Sequence, residues 1–146
     1  MTKLILIAED FEHDVMFLQH ALSQAGVSNP VHVVNDGQEV FAYLKGEHAF
    51  FDRERFPLPG VLFLDLNMPY SDGFEVLEWL KTQPQFDQML VIVLSGAFDA
   101  REVNRAYHLG ADSFLTKPCS RQDVENLIEY FPDSWIVNRR TTVARS

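Results

Sequence analysis

The chain is short of several things at once. It has one cysteine, Cys119, in 146 residues, so no internal disulfide can form, and a reducing, cytoplasmic setting is expected. No apolar run reaches the roughly 20 residues that a membrane-crossing helix needs, and the N-terminus passes directly into a strand pattern with no secretion signal. Basic residues are scarce: 12 Lys and Arg stand against 21 Asp and Glu, for a net charge of -9. That balance argues against nonspecific DNA or RNA binding, which needs a basic face, and against an anionic membrane surface. Arg139, Arg140 and Arg145 form a sparse basic tail that reads as solvated. Glycine-rich loops of the GxGxxG or Walker type are absent, so nucleotide binding has no support. His13, His20, His32, His48 and His108 show neither metal-ligand spacing nor pairing with a nucleophile. His13 is expected as a surface residue near a crevice mouth, and Cys119 as a small structural residue.

What is present is an apolar fraction of 47%, enough for one well-buried domain at this length. Short β-rich runs alternate with helical patterns. The spacing predicts strands over Lys3–Ala8, Val31–Asn35, Val61–Asp65, Leu90–Ser95 and Asp112–Thr116. Helices are predicted over Glu12–Ala25, from Asp36-Gly37, from Asp72-Gly73, over Asp99–Leu109 and over Ser120–Tyr130. Asp36 and Asp72 are placed as helix caps, and Gly73 as a point needing backbone freedom. Strands alternating with helices imply an α/β domain with a doubly wound, five-stranded parallel sheet. A long link, Gly46–Gly60, carries Phe50, Phe51 and Phe56, which are expected to pack it against the domain.

In such sheets the site lies at the carboxyl ends of the strands. Polar residues stand at those ends: Glu9-Asp10 after the first strand, Asp65 ending the third, Ser95-Gly96 the fourth, Lys117-Pro118 the fifth. Three carboxylates, Glu9, Asp10 and Asp65, would repel one another unless a cation sat between them. Hard oxygen ligands suit Mg²⁺. A carboxylate beside such an ion can act as a nucleophile and form an acyl phosphate. Lys117 supplies a point charge for an anionic oxygen, and Ser95 a hydroxyl donor. Asp14, four residues after Asp10, reads as a surface charge.

In order and spacing, Glu9-Asp10, Asp65-Leu66-Asn67-Met68-Pro69, Asp72-Gly73, Ser95-Gly96 and Lys117-Pro118 resemble the receiver domain of two-component response regulators. The resemblance runs from about Lys3 to about Phe131. It implies a flavodoxin-like, three-layer sandwich, with a receiver domain over 1–131 and a C-terminal extension over 132–146. It implies phosphorylation of Asp65 by a sensor histidine kinase, with Mg²⁺ held by Glu9, Asp10, Asp65 and the carbonyl of Asn67. It also implies a switch in which Ser95 moves toward the phosphoryl group and Phe114 rotates inward; a non-switching, half-buried Phe114 is the alternative. Pro118 either opens a helix or follows a cis bond that aims Lys117, as in receivers. Ser71 departs from the apolar residue common in receivers at that position. The long link, the Asp65-Leu66-Asn67 pattern and the Trp-bearing tail look like the small regulators of bacterial and cyanobacterial phytochrome kinases. Members of that group tend to dimerise through the helix-four to helix-five face. Phe131, Trp135, Ile136 and Val137 either fold back onto the domain or bury in a partner copy; the partner is the expectation, with the tail joining an output face that includes Val103, Ala106 and Tyr107. No room is seen for a DNA-binding effector domain.

The rival readings are weaker. An aspartyl phosphatase would need an acidic residue two positions after Asp65 as acid/base, where this chain has Asn67. A binding module that has lost phosphorylation would not need the five polar positions intact. Ala97 has no polar reach and Gly96 leaves the site open, so a long-lived phosphoryl group is expected.

Overall fold

In the computed structural model, which describes residues 2–70 and 72–138, each apolar run becomes a strand of one sheet. The strands are β1 (Ile5–Ala8), β2 (Val31–Val34), β3 (Val61–Asp65), β4 (Leu90–Ser95) and β5 (Ser113–Thr116). Between and after them lie α1 (Glu12–Gln24), α2 (Gly37–Lys45), α3 (Gly73–Leu80), α4 (Ala100–His108) and α5 (Arg121–Tyr130). All neighbouring strands pair in parallel, in the order β2-β1-β3-β4-β5. The expected doubly wound, five-stranded, three-layer α/β fold is the observed one. Ser71 and the basic residues Arg139, Arg140 and Arg145 lie outside the described residues.

Alternation along the inner strands feeds two separate cores, because successive side chains of a strand point to opposite faces. Leu6 and Ala8 of β1, Leu62 and Leu64 of β3, and Val91 and Val93 of β4 meet α2, α3 and α4 residues such as Val40, Leu77 and Ala106. Ile5, Ile7, Val61, Phe63, Ile92 and Leu94 meet Leu18 and Leu22 of α1 and Val124 and Leu127 of α5. With both faces covered, the central strands are buried throughout, which is why they read as continuous apolar runs rather than alternating ones.

The caps sit where the sequence places them. Asp36 accepts from the Glu39 N–H at 2.8 Å and Asp72 from the Glu75 N–H at 2.9 Å. A further cap, not singled out in the sequence, is the reciprocal capping box of Ser120 and Asp123 at the start of α5. Gly73 differs from expectation. It is the first residue of α3, and a Cβ there would lie 2.7 Å from the Asp65 carbonyl oxygen and 2.8 Å from Leu66 Cα. The position requires clearance, not backbone freedom.

The link after α2 is packed as expected. Phe50 and Phe56 meet edge to face, and both rings contact the buried Tyr43. The Arg53 guanidinium donates to the carbonyls of Tyr43, Leu44 and Phe56 at 2.9–3.1 Å, so it satisfies the last carbonyls of α2. Phe51 alone stays exposed.

The C-terminal segment corrects the sequence reading. After a 3-10 turn over Pro132–Ser134, Trp135 is buried and packs on Phe63 in the core under α1 and α5. Val137 bridges Val27 in antiparallel fashion. The buried Asn29 amide ties the segment down: it donates to the Lys3 and Ser134 carbonyls and accepts from the Ile136 N–H. Trp135 and Val137 therefore cover this chain's own core and do not join the α4–β5–α5 surface. Ala106 likewise faces the core, while Tyr107 is exposed. Among the described residues, no helix is long and apolar enough to cross a membrane.

Candidate functional site

The strand order reverses between β1 and β3, and a crevice opens there at the carboxyl ends of the strands, as doubly wound sheets require. β1 delivers Glu9 and Asp10 immediately after Ala8, β3 ends on Asp65, and β5 leads into Lys117. They line a cavity of about 450 Å³ together with Phe11, Asp14, Phe17, Asn67, Gly96 and Pro118. Carboxylate oxygens of Glu9, Asp10 and Asp65 all lie within 4.8 Å of one another. Glu9 and Asp65 are buried, whereas Asp10 is exposed at the mouth.

Lys117 reaches into this group from the far side. Its Nζ lies 2.6 Å from Glu9 Oε2, 3.1 Å from Asp14 Oδ2 and 3.2 Å from Asp65 Oδ2. The Lys117-Pro118 peptide is cis, as the resemblance implies, and the Lys117 N–H donates to the Ser95 carbonyl at 2.7 Å. Burial works against the charge of this ammonium, but the contacts to Glu9, Asp65 and Asp14 outweigh it and hold the lysine above its ordinary range. The Glu9 carboxyl is also shifted upward, for a different reason: removal from water, helped by the nearby Asp65 charge, pushes it up to about 7 despite Lys117 and the Phe11 N–H.

The donor set fits a hard divalent cation. Three carboxylates converge, no His or Cys lines the cavity, and buried Glu9 Oε2 has no directed hydrogen-bond partner. A second positive charge beside these carboxylates, in addition to Lys117, relieves both the crowding and the desolvation. Asn67 lies at the rim, exposed, and its N–H orients Asp65 by donating to Oδ1 at 3.1 Å.

Five of the seven residues singled out from the sequence thus share one cavity: Glu9, Asp10, Asp65, Asn67 and Lys117. Ser95 and Phe114 stand behind it. The Ser95 hydroxyl is buried and donates to the Ala97 carbonyl at 3.0 Å. Phe114 is half-buried against the α2–α4 core, and its N–H, on the outer edge of β5, donates to the Tyr107 hydroxyl at 3.1 Å. His13 is exposed and sits edge-on to Phe11.

Two features escaped the sequence reading. Asp14 is not a free surface charge; it faces Lys117 from the first turn of α1. The signal was its place at the start of the helix that follows the acidic pair. The second is an apolar rim: Phe11 and Phe17 line the cavity yet remain more than half exposed.

Residues 5–129 match the family model of the response regulator receiver domain. The response regulator Rcp1 of Synechocystis sp. is 28% identical over 134 residues, which is 92% of this chain and 89% of Rcp1. A crystal structure of a phosphorylated cyanobacterial phytochrome response regulator, RcpA, superposes with a TM-score of 0.78 at 30% identity, covering 94% of this chain and 99% of that one. The Mn²⁺-bound form of Rcp1 superposes with a TM-score of 0.75 at 27% identity, covering 92% and 98%.

Proposed function

Because the chain belongs to the family of response regulator receiver domains, we propose that it accepts a phosphoryl group on Asp65 from a sensor histidine kinase, in a Mg²⁺-dependent reaction. The convergence of Asp65 with two further acids on one side and the Lys117 ammonium on the other carries this reading. In the transfer, an Asp65 carboxylate oxygen forms a bond to phosphorus as the P–N bond to the donor histidine breaks, and the freed imidazole takes up a proton. Glu9, Asp10, Asp65 and the Asn67 carbonyl would hold the cation. Bound there, it supplies charge neutralisation for the phosphoryl oxygens. Lys117 exchanges its contact with Asp65 for one with a phosphoryl oxygen.

Ser95 then gives up the Ala97 carbonyl and donates to the new anion. That contact exists only in the phosphorylated state, so it biases the conformation. Phe114, which shares the α4-facing core, follows inward. Output and self-association run through the α4–β5–α5 face, where Tyr107 and Tyr130 are exposed and no residue of β5 is fully buried. The likeness to phytochrome response regulators supports a phytochrome-type kinase as the donor. Ala97 offers no polar group to orient an attacking water, so the acyl phosphate persists.

The test is intact mass after incubation with Mg²⁺ and a small phosphodonor. The parent should gain one phosphoryl group and Asp65→Asn none. A parent that gains no mass overturns the reading.

A further inference from the structure

We infer that Asp14 is a positioning residue for Lys117: it is the anchor that keeps the ammonium over Asp65 once a cation engages the other two carboxylates. The inference rests on the phosphoacceptor reading and extends it to a residue outside the five receiver positions.

Three carboxylates touch Lys117 Nζ, but they are not equivalent. Glu9 and Asp65 belong to the cluster whose oxygens lie within 4.8 Å of one another and of Asp10, and Asp14 does not. A divalent ion held by that cluster withdraws the charge of Glu9 and Asp65 from the lysine and repels the ammonium as well. Asp14 keeps its charge for Lys117. It also makes a directed contact of its own: the Lys117 Nζ–H donates to Asp14 Oδ2 at 3.1 Å, beside the closer ion pair of Nζ with Glu9 Oε2 at 2.6 Å.

Support differs too. Asp65 ends β3 and Glu9 directly follows β1. Asp14 is held by the first turn of α1, where its own N–H bonds the Phe11 carbonyl at 3.0 Å and an acidic side chain is favoured by the helix dipole. Its side chain is 25% exposed and that of Lys117 is 15% exposed. Asp14 therefore closes the solvent side of the lysine, and its position does not depend on the charge of Asp65.

Two measurements test this. In metal-free protein, the exchange of the Lys117 ammonium protons with water is followed by ¹⁵N–¹H NMR. It should quicken in Asp14→Ala and stay near the parent rate in Asp14→Asn, whose amide oxygen can still accept. With Mg²⁺ and a small acyl phosphate, phosphoryl uptake should slow in Asp14→Ala by up to about a hundredfold, the scale of a misplacement of about 1 Å in a catalytic group. In a Lys117→Met background, Asp14→Ala should cause no further slowing. Unchanged ammonium exchange in Asp14→Ala overturns the inference, and so does an undiminished effect in the Lys117→Met background. A parent that takes up no phosphoryl group overturns the function proposed above instead, while the exchange measurement still decides the role of Asp14.

Discussion

Glu9 shows most directly how burial shapes this site. Its carboxyl is 2% exposed and is pushed up to about 7 from an ordinary 4.5, first by removal from water and then by Asp65. Between those two values the folded chain binds a proton that the unfolded chain does not. This group therefore adds stability to the metal-free protein as pH falls through 7 toward 4.5, and the gain is absent above 7. Cation binding has the opposite sign, because the ion must displace that proton. Mg²⁺ affinity measured by calorimetry should fall between pH 8 and pH 6, and Glu9→Gln should flatten the profile; equal affinities at both pH values would contradict the assignment. Lys117 supports the same geometry from the other side. Removing it as Lys117→Met leaves Glu9, Asp14 and Asp65 crowded without a counter-charge, a change that costs about 3 kcal/mol where a buried pair is broken. The melting temperature should drop, and Mg²⁺ should restore much of it; a drop indifferent to Mg²⁺ would mean that the lost packing of the lysine stem dominates. Cys119, by contrast, has no chemistry to offer: burial pushes its thiol up to about 12.

At the level of elements, local chemistry explains why much of the fold could be read in advance. The three β runs that form the middle of the sheet are apolar on both faces, and their ends carry the polar residues, so strand position and site position come from one pattern. The Asp36 and Asp72 caps were equally legible, since an Asp before a helical run has one main use. Legibility failed where a residue's role depends on a distant neighbour. Gly73 looks like any turn glycine until the Asp65 carbonyl is seen 2.7 Å from its absent Cβ. Gly73→Ala should push α3 away from the end of β3 and cost about 1–3 kcal/mol as overpacking. It should slow phosphoryl uptake as well, because the displaced backbone is that of Asp65. Normal uptake in a destabilised Gly73→Ala protein would separate the two effects and reject the link. Tyr107 is a second case: nothing in its neighbourhood along the chain announces that its hydroxyl satisfies the outer edge of β5 at Phe114.

Across the whole molecule, the tail is where pattern and structure part company. Four apolar residues beyond the last helix resemble an exposed patch, and a patch of that kind invites a partner. For Trp135 and, in part, Phe131 and Val137 the chain meets the same demand internally, while Ile136 stays exposed. The gap between the ends of α1 and α5 admits an indole, and the Asn29 amide supplies the polar contacts that turn the backbone back over Lys3 and Gly26. Sequence alone could not separate these outcomes, because the apolar area that needs cover is the same in both. They differ in what a substitution does. If Trp135 closes the core against Phe63, Trp135→Ala opens a large cavity and costs about 3–5 kcal/mol, with no change in oligomeric state at equal folded concentration. Trp135→Phe should be far milder, since the buried indole N–H has no partner and its removal offsets part of the lost volume. Denaturant midpoints with sedimentation velocity decide the matter. A Trp135→Ala protein that keeps its midpoint but loses a dimer would place the indole at an interface, and the fold-back account of the tail would fail with it.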